Sequence, residues 1–246
     1  MSDADQTPPE IPPDGDTPES ELALSGGIVR AAIVFEGMIV LGAYVLGEIV
    51  ERPPFEYIRW NSLDALWGTL AALPLLAVLL VAMRLRLAAV DRVREFCRDF
   101  LAPMFREATW LQLVVVCALA GLGEEMLFRG LIQRGLRDAL GEPYGVWAGL
   151  AIASVTFGLA HSVTRGYAIA AGLVGLYFGG LLILTDNLLV PIVAHAAYDL
   201  GAFVYLFRME RLDSAVPTVS NSAAASNSNG DDAEAAQAHD TRDAAP

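Results

Sequence analysis

WLQLVVVCALAGLGEEMLFRG, residues 110–130, opens as an apolar helix and closes in charge. Nothing from Trp110 to Gly123 is charged, then Glu124 and Glu125 stand side by side and Arg129 follows four residues later. An ionisable side chain in hydrocarbon costs roughly 2.5–3.5 kcal/mol on insertion scales, so its presence asks for a reason. Outward from this stretch the pattern repeats. Six apolar runs cover 28–50, 64–83, 108–128, 144–163, 167–185 and 188–207. Each is about 20 residues, the length that crosses ~30 Å of hydrocarbon at ~1.5 Å of rise per residue. Helices are the default spanning element because they satisfy their own backbone groups. The expected fold class is all-α: a polytopic membrane bundle of about six transmembrane helices between disordered acidic N- and C-terminal tails. Small residues in AGLVGLYFGG, 171–180, allow close helix packing.

Composition agrees. The chain of 246 residues is 54% hydrophobic, too apolar for an ordinary soluble domain. Its formal net charge of −13 sits at the ends. Residues 1–25 hold seven acids and no base, and residues 212–246 hold six acids and one Arg. The acidity therefore describes solvated tails and says little about what the core binds. Residues 1–24 and 212–246 read as disordered, on their Pro/Asp/Glu content and low complexity respectively, and 25–211 as the membrane domain. His239 lies in the second tail and has no expected partner. No basic stripe interleaved with aromatics is present, which excludes a nucleic-acid role. Cys97 and Cys117 form neither a disulfide framework nor a CxxC zinc site. The N-terminus lacks a basic region before an early apolar core, so it is not a cleavable signal peptide, and insertion falls to the first membrane helix.

Residues 84–107, RLRLAAVDRVREFCRDFLAPMFRE, carry six Arg among Leu, Val, Phe and Met at helical spacing. That pattern predicts an interfacial amphipathic helix, either a plain connector or a substrate gate. As the densest basic loop it should face the cytoplasm, which places both termini there. Arg208 and Arg211 agree; Arg129, Arg134 and Arg137 fall on the opposite side.

Three polar features interrupt the later spans. Glu125 and Arg129, at i and i+4, share a helix face and can pair. Glu124 is turned about 100° away, without a local cation. Read alone, this is either a helix end reaching headgroups or a carboxylate kept free to act as a general base, a task that desolvation favours. The second feature is Phe157-Gly-Leu-Ala-His161, where an aromatic one turn earlier can fix the imidazole by packing. The third is His195-Ala-Ala-Tyr-Asp199, whose ends again share a face. There the imidazole can donate one N–H to the carboxylate and turn its other nitrogen to a cavity, or the pair can ligate a metal. Three helices bringing these groups together would make one polar cavity.

E-E-x-x-x-R, F-x-x-x-H and H-x-x-x-D on successive helices resemble the motifs of the CPBP intramembrane proteases, the CAAX-protease and bacteriocin-processing family also called ABI. The resemblance covers about residues 108–207, and EEMLFRGLIQ has the typical setting of the first motif. It implies an intramembrane endopeptidase in which Glu124 activates water and His161 helps position and deprotonate it. Glu125 would pair with Arg129 to brace the helix. His195 and Asp199 would face the scissile carbonyl, stabilise the oxyanion or bind metal. The family often has Asn at the last position. An ionised Asp199 cannot donate to an oxyanion, which leaves that task to His195. The resemblance also admits zinc, for which Glu124, His161 and His195 would be the ligands. The implied partners are the bilayer and a membrane-embedded or lipid-anchored peptide. A non-catalytic scaffold or bacteriocin-immunity protein of the same fold is the alternative, and a transporter would be expected to show inverted repeats that are not visible.

Overall fold

A computed structural model describes residues 18–85, 88–106 and 108–215. Every regular element among them is helical. Helix α1 (Pro18–Ile49) is followed by a 3₁₀ turn (Pro54–Tyr57) and α2 (Ser62–Ala82). Helix α3 (Ala88–Phe96) runs on through a π-helical Cys97–Leu101 into Ala102–Phe105. Then come α4 (Trp110–Leu140), α5 (Tyr144–Ala160), α6 (Arg165–Thr185) and α7 (Leu189–Ala215). Helical structure thus reaches back to Pro18 and forward to Ala215, into segments whose composition suggested disordered tails; the rest of those tails lies outside the described residues. The described residues up to Glu210 form one compact unit; of 211–246 only the end of α7 is described.

Five segments are long and apolar enough to cross a membrane: Gly27–Ile49, Ser62–Ala82, Trp110–Leu140, Arg165–Thr185 and Leu189–Arg208. The chain is a multi-pass membrane protein. The fourth expected span, 144–163, is a helix of only 17 residues, because α5 stops at Ala160. At ~1.5 Å per residue it falls a little short of ~30 Å of hydrocarbon.

The expected third span, 108–128, differs more. Helix α4 has 31 residues and does not end near Arg129. Thr109 caps its start in a reciprocal box with Gln112, and Met126–Gln133 is a π-helical stretch inside it. The stop comes at Gly141, whose φ of 71° is the left-handed conformation that glycine tolerates. Glu124 and Glu125 therefore lie mid-helix, and a π-helical segment widens the turn just after them. Half of the α4 span is buried, against 11% for α1 and α2, so α4 is the central helix. Val34, Phe35, Leu66 and Trp67 on the outer helices are exposed, as lipid-facing side chains can be.

Contacts fix the helix directions. Val29 of α1 clusters with Leu113 and Val116 of α4, Val40 lies against Gly123, and Pro54 lies against Gly130. Helices α1 and α4 thus run parallel. The α4–α5 approach is closer still. A Cβ built on Gly149 would lie 2.4 Å from the Gln133 carbonyl oxygen, a backbone atom that cannot swing aside. Gly149→Ala is expected to cost about 1–3 kcal/mol by overpacking, read as a lower unfolding midpoint in detergent. An unchanged midpoint would mean the two helices can slide apart freely.

At the end of the bundle holding the α1–α2 and α6–α7 connections, fully buried Asn187 ties the two together. Its Oδ1 accepts from the Arg59 and Leu189 N–H groups at 2.9 and 3.1 Å. Its Nδ2 donates to the Arg59 carbonyl at 2.9 Å and to Asp64 at 2.8 Å. Asn187→Ala leaves these groups without their partner and should cost about 1–3 kcal/mol. Thermal unfolding checks this; a shift no larger than that of an exposed Asn→Ala change would refute it. Arg134 and Arg137 at the same end pair with Asp186 at 2.7 and 3.5 Å.

Candidate active site

The π-helical turn of α4, the end of α5 and the middle of α7 bring all six candidate residues together. Glu125 and Arg129 are both 0% exposed. Arg129 donates from Nη1 to Glu125 Oε1 at 2.8 Å and from Nη2 to the Gly175 carbonyl of α6 at 3.0 Å. Its guanidinium carbon lies 4.5 Å from the Phe157 ring centroid, a cation–π contact in a desolvated setting. Arg129 is thus an interior residue whose charge is matched within the bundle, and it does not count against the orientation read from the loops.

Glu125 has a second partner. His195 Nδ1 lies 3.0 Å from the same Oε1, and His195 Nε2 lies 3.4 Å from Asp199 Oδ2. Glu125 therefore bridges Arg129 and His195, so the helix brace and the third motif are one network. Phe178 stacks on the His195 ring at 4.9 Å between centroids and 22° between planes. Phe157 meets the same ring edge-on.

Glu124 points elsewhere, as the 100° step requires. Its Oε2 lies 3.6 Å from His161 Nε2 and has no hydrogen-bond partner, although the atom is buried. His161 follows the last residue of α5, and its Nδ1 sits 2.9 Å from the Phe157 carbonyl oxygen. A carbonyl only accepts, so Nδ1 carries a hydrogen and Nε2 is the nitrogen that faces Glu124. Phe157 also stacks on this ring, 4.5 Å between centroids and 28° between planes. The aromatic expected to hold His161 thus holds it twice, by ring and by carbonyl. The shortness of α5 is what leaves His161 at a free helix end.

Two contributors carry no motif. Phe178 sits in a Gly-rich run that reads only as helix packing. Glu36 of α1 is an acid inside the apolar run 28–50. Its Oε2 is buried without a hydrogen-bond partner, and its carboxylate is within Coulombic range of Glu124, Asp199, His195 and His161. An acid in the middle of a span was the available signal.

The donor set bears on zinc. Among the described residues no group of three or more His, Cys, Asp or Glu is arranged to hold a metal ion. Both His195 nitrogens face carboxylates, so of the three residues named for zinc only Glu124 and His161 present free donors to each other. Catalytic zinc takes three protein ligands, and as arranged these residues do not supply them.

The fold and this geometry define a multi-pass membrane protein with a buried Glu–His–Asp site in the interior of its helix bundle. Residues 106–201 match the family model of the type II CAAX prenyl endopeptidases, Rce1-like. The matched range contains all six motif residues and leaves out α1, α2 and α3. No curated protein and no solved structure matches the chain.

Proposed function

We propose that the chain is an intramembrane endopeptidase that hydrolyses a peptide bond of a membrane-embedded or lipid-anchored substrate, with Glu124 as general base. The observation that carries this reading is the approach of Glu124 Oε2 to His161 Nε2 at 3.6 Å, while the adjacent Glu125 is neutralised by Arg129. A water between Glu124 and His161 would lose a proton to Glu124 as its oxygen bonds the scissile carbon. His161 Nε2 relays that proton to the departing amine as the C–N bond breaks. The oxyanion donor would be His195 Nε2–H, turning from Asp199 Oδ2 at 3.4 Å while Nδ1 stays on Glu125, because Asp199 as a carboxylate only accepts. Glu125 and Asp199 then orient His195. In this reading the Arg-rich face, with α3 and Arg208, is cytoplasmic, and the substrate enters from that side.

The test is proteolysis in reconstituted membranes with a library of membrane-anchored peptides. Wild type is compared with Glu124→Ala, His161→Ala and His195→Ala, each with and without a zinc chelator. Loss of cleavage in all three variants supports the assignment, and the chelator arm reads whether metal takes part. Cleavage that survives the substitutions overturns it. A folded wild type that cleaves nothing shifts weight to a non-catalytic scaffold.

A further inference from the structure

Helix α1 lies outside the matched segment, yet it delivers a carboxylate to the site. Its approach is set by Gly123, the residue before Glu124. A Cβ there would lie 3.0 Å from the Val40 backbone nitrogen and 3.1 Å from Ile39 and Val40 side-chain carbons. Glu36 is one turn before Val40, on the same face of α1. Glycine at 123 thus lets α1 pack closely on α4, with Glu36 within Coulombic range of Glu124, and those two carboxylates each keep a buried oxygen with no hydrogen-bond partner. An acid inside a transmembrane segment, with a buried oxygen that finds no hydrogen-bond partner among the described residues, calls for a function. Asp199, His195, His161 and Cys117 are also within Coulombic range of it.

We infer that Glu36 is a second acceptor for the attacking water, which donates one O–H to Glu124 and the other to Glu36. This rests on the endopeptidase reading above. A water has two hydrogens to give, and two carboxylate oxygens on different helices match them. Glu124 takes its hydrogen as the O–C bond forms. Glu36 keeps a hydrogen bond throughout and exchanges no proton. Its contribution is orientation: with both hydrogens held, the lone pair that attacks points away from both carboxylates, toward the scissile carbonyl.

The experiment compares wild type, Glu36→Ala, Glu36→Gln and Glu124→Gln for kcat and KM on a peptide that the wild type cleaves, in lipid. Glu36→Ala should lower kcat on the order of 100-fold with KM little changed, because only the water is misplaced. Glu36→Gln, whose amide oxygen still accepts, should recover about tenfold of that loss. Glu124→Gln should be inactive, because an amide is no base. If Glu36→Ala cleaves like wild type while Glu124→Gln is dead, the inference fails and the endopeptidase reading stands. If a folded Glu36→Gln is as impaired as Glu36→Ala, acceptance is not the role and the inference also fails. If Glu124→Gln cleaves normally, the reading itself falls. Should no peptide be cleaved, a double-mutant cycle of Glu36→Gln and Glu124→Gln on thermal stability reads their shared neighbourhood directly. Non-additive shifts support the pairing, and additive ones overturn it.

Discussion

With Glu124 as the proposed general base, Glu124→Gln is expected to lower kcat by about 10²- to 10⁴-fold, the range a positioned general base contributes, and to leave the protein folded. The reason lies in how little Glu124 does for the fold. Its Oε2 meets only His161, across 3.6 Å, and makes no hydrogen bond. An amide fills the same volume and cannot take a proton from water. The neighbouring substitution should behave in the opposite way. Glu125 Oε1 accepts from Arg129 at 2.8 Å and meets His195 Nδ1 at 3.0 Å, all in a fully buried setting. Glu125→Gln weakens both links and leaves a buried guanidinium without its counter-charge, so loss of stability should precede any effect on chemistry. Paired measurements of kcat and unfolding midpoint for the two variants decide the matter. If the two glutamines behaved alike in both assays, the division of labour between adjacent glutamates would be wrong.

Arg129→Met should be the most destabilising single change in the site, by about 3–5 kcal/mol, the cost of stripping one partner from a buried ion pair. Arg129 is 0% exposed and holds α4 to α6 through the Gly175 carbonyl while its charge rests against Phe157. Its removal leaves Glu125 as a buried anion facing His195 alone. Arg129→Lys keeps the charge but not the planar fork that reaches two acceptors at once, and should fall between. The unpaired charge, not the lost packing, is what costs most. The double variant Arg129→Met, Glu125→Gln should therefore be more stable than Arg129→Met alone. Unfolding midpoints in lipid or detergent test the series, and a double variant less stable than the single one would locate the cost in packing instead.

Much of this was legible before any coordinates. Apolar runs of spanning length gave the helical membrane class, because hydrocarbon leaves the backbone few other options. The i, i+4 spacings of Glu125 with Arg129 and of His195 with Asp199 predicted two contacts that the structure contains, since spacing on one helix is local geometry. The step between Glu124 and Glu125 likewise foretold that they face different partners. Phe157 ahead of His161 was readable for the same reason.

Other features were not. Continuation of α4 through Leu140 depends on a π-helical stretch held by buried partners, and a reading that ended the span at charge placed the motif at a helix end instead of its middle. The link from Glu125 to His195 joins residues far apart in the chain, which no local period encodes. Glu36 and Phe178 reach the site because α1 packs on α4 at Gly123 and α6 packs on α5 at Gly175, and a glycine in sequence does not say which helix it admits. Sequence alone determined the class of fold, the pairs within each helix and the kinds of side chain available for hydrolysis, because these follow from hydrophobicity and helical pitch. Tertiary structure alone decided which pairs share a network, which glutamate is left free beside His161, and that a fourth helix brings another carboxylate to it, because those depend on how closely helices pack.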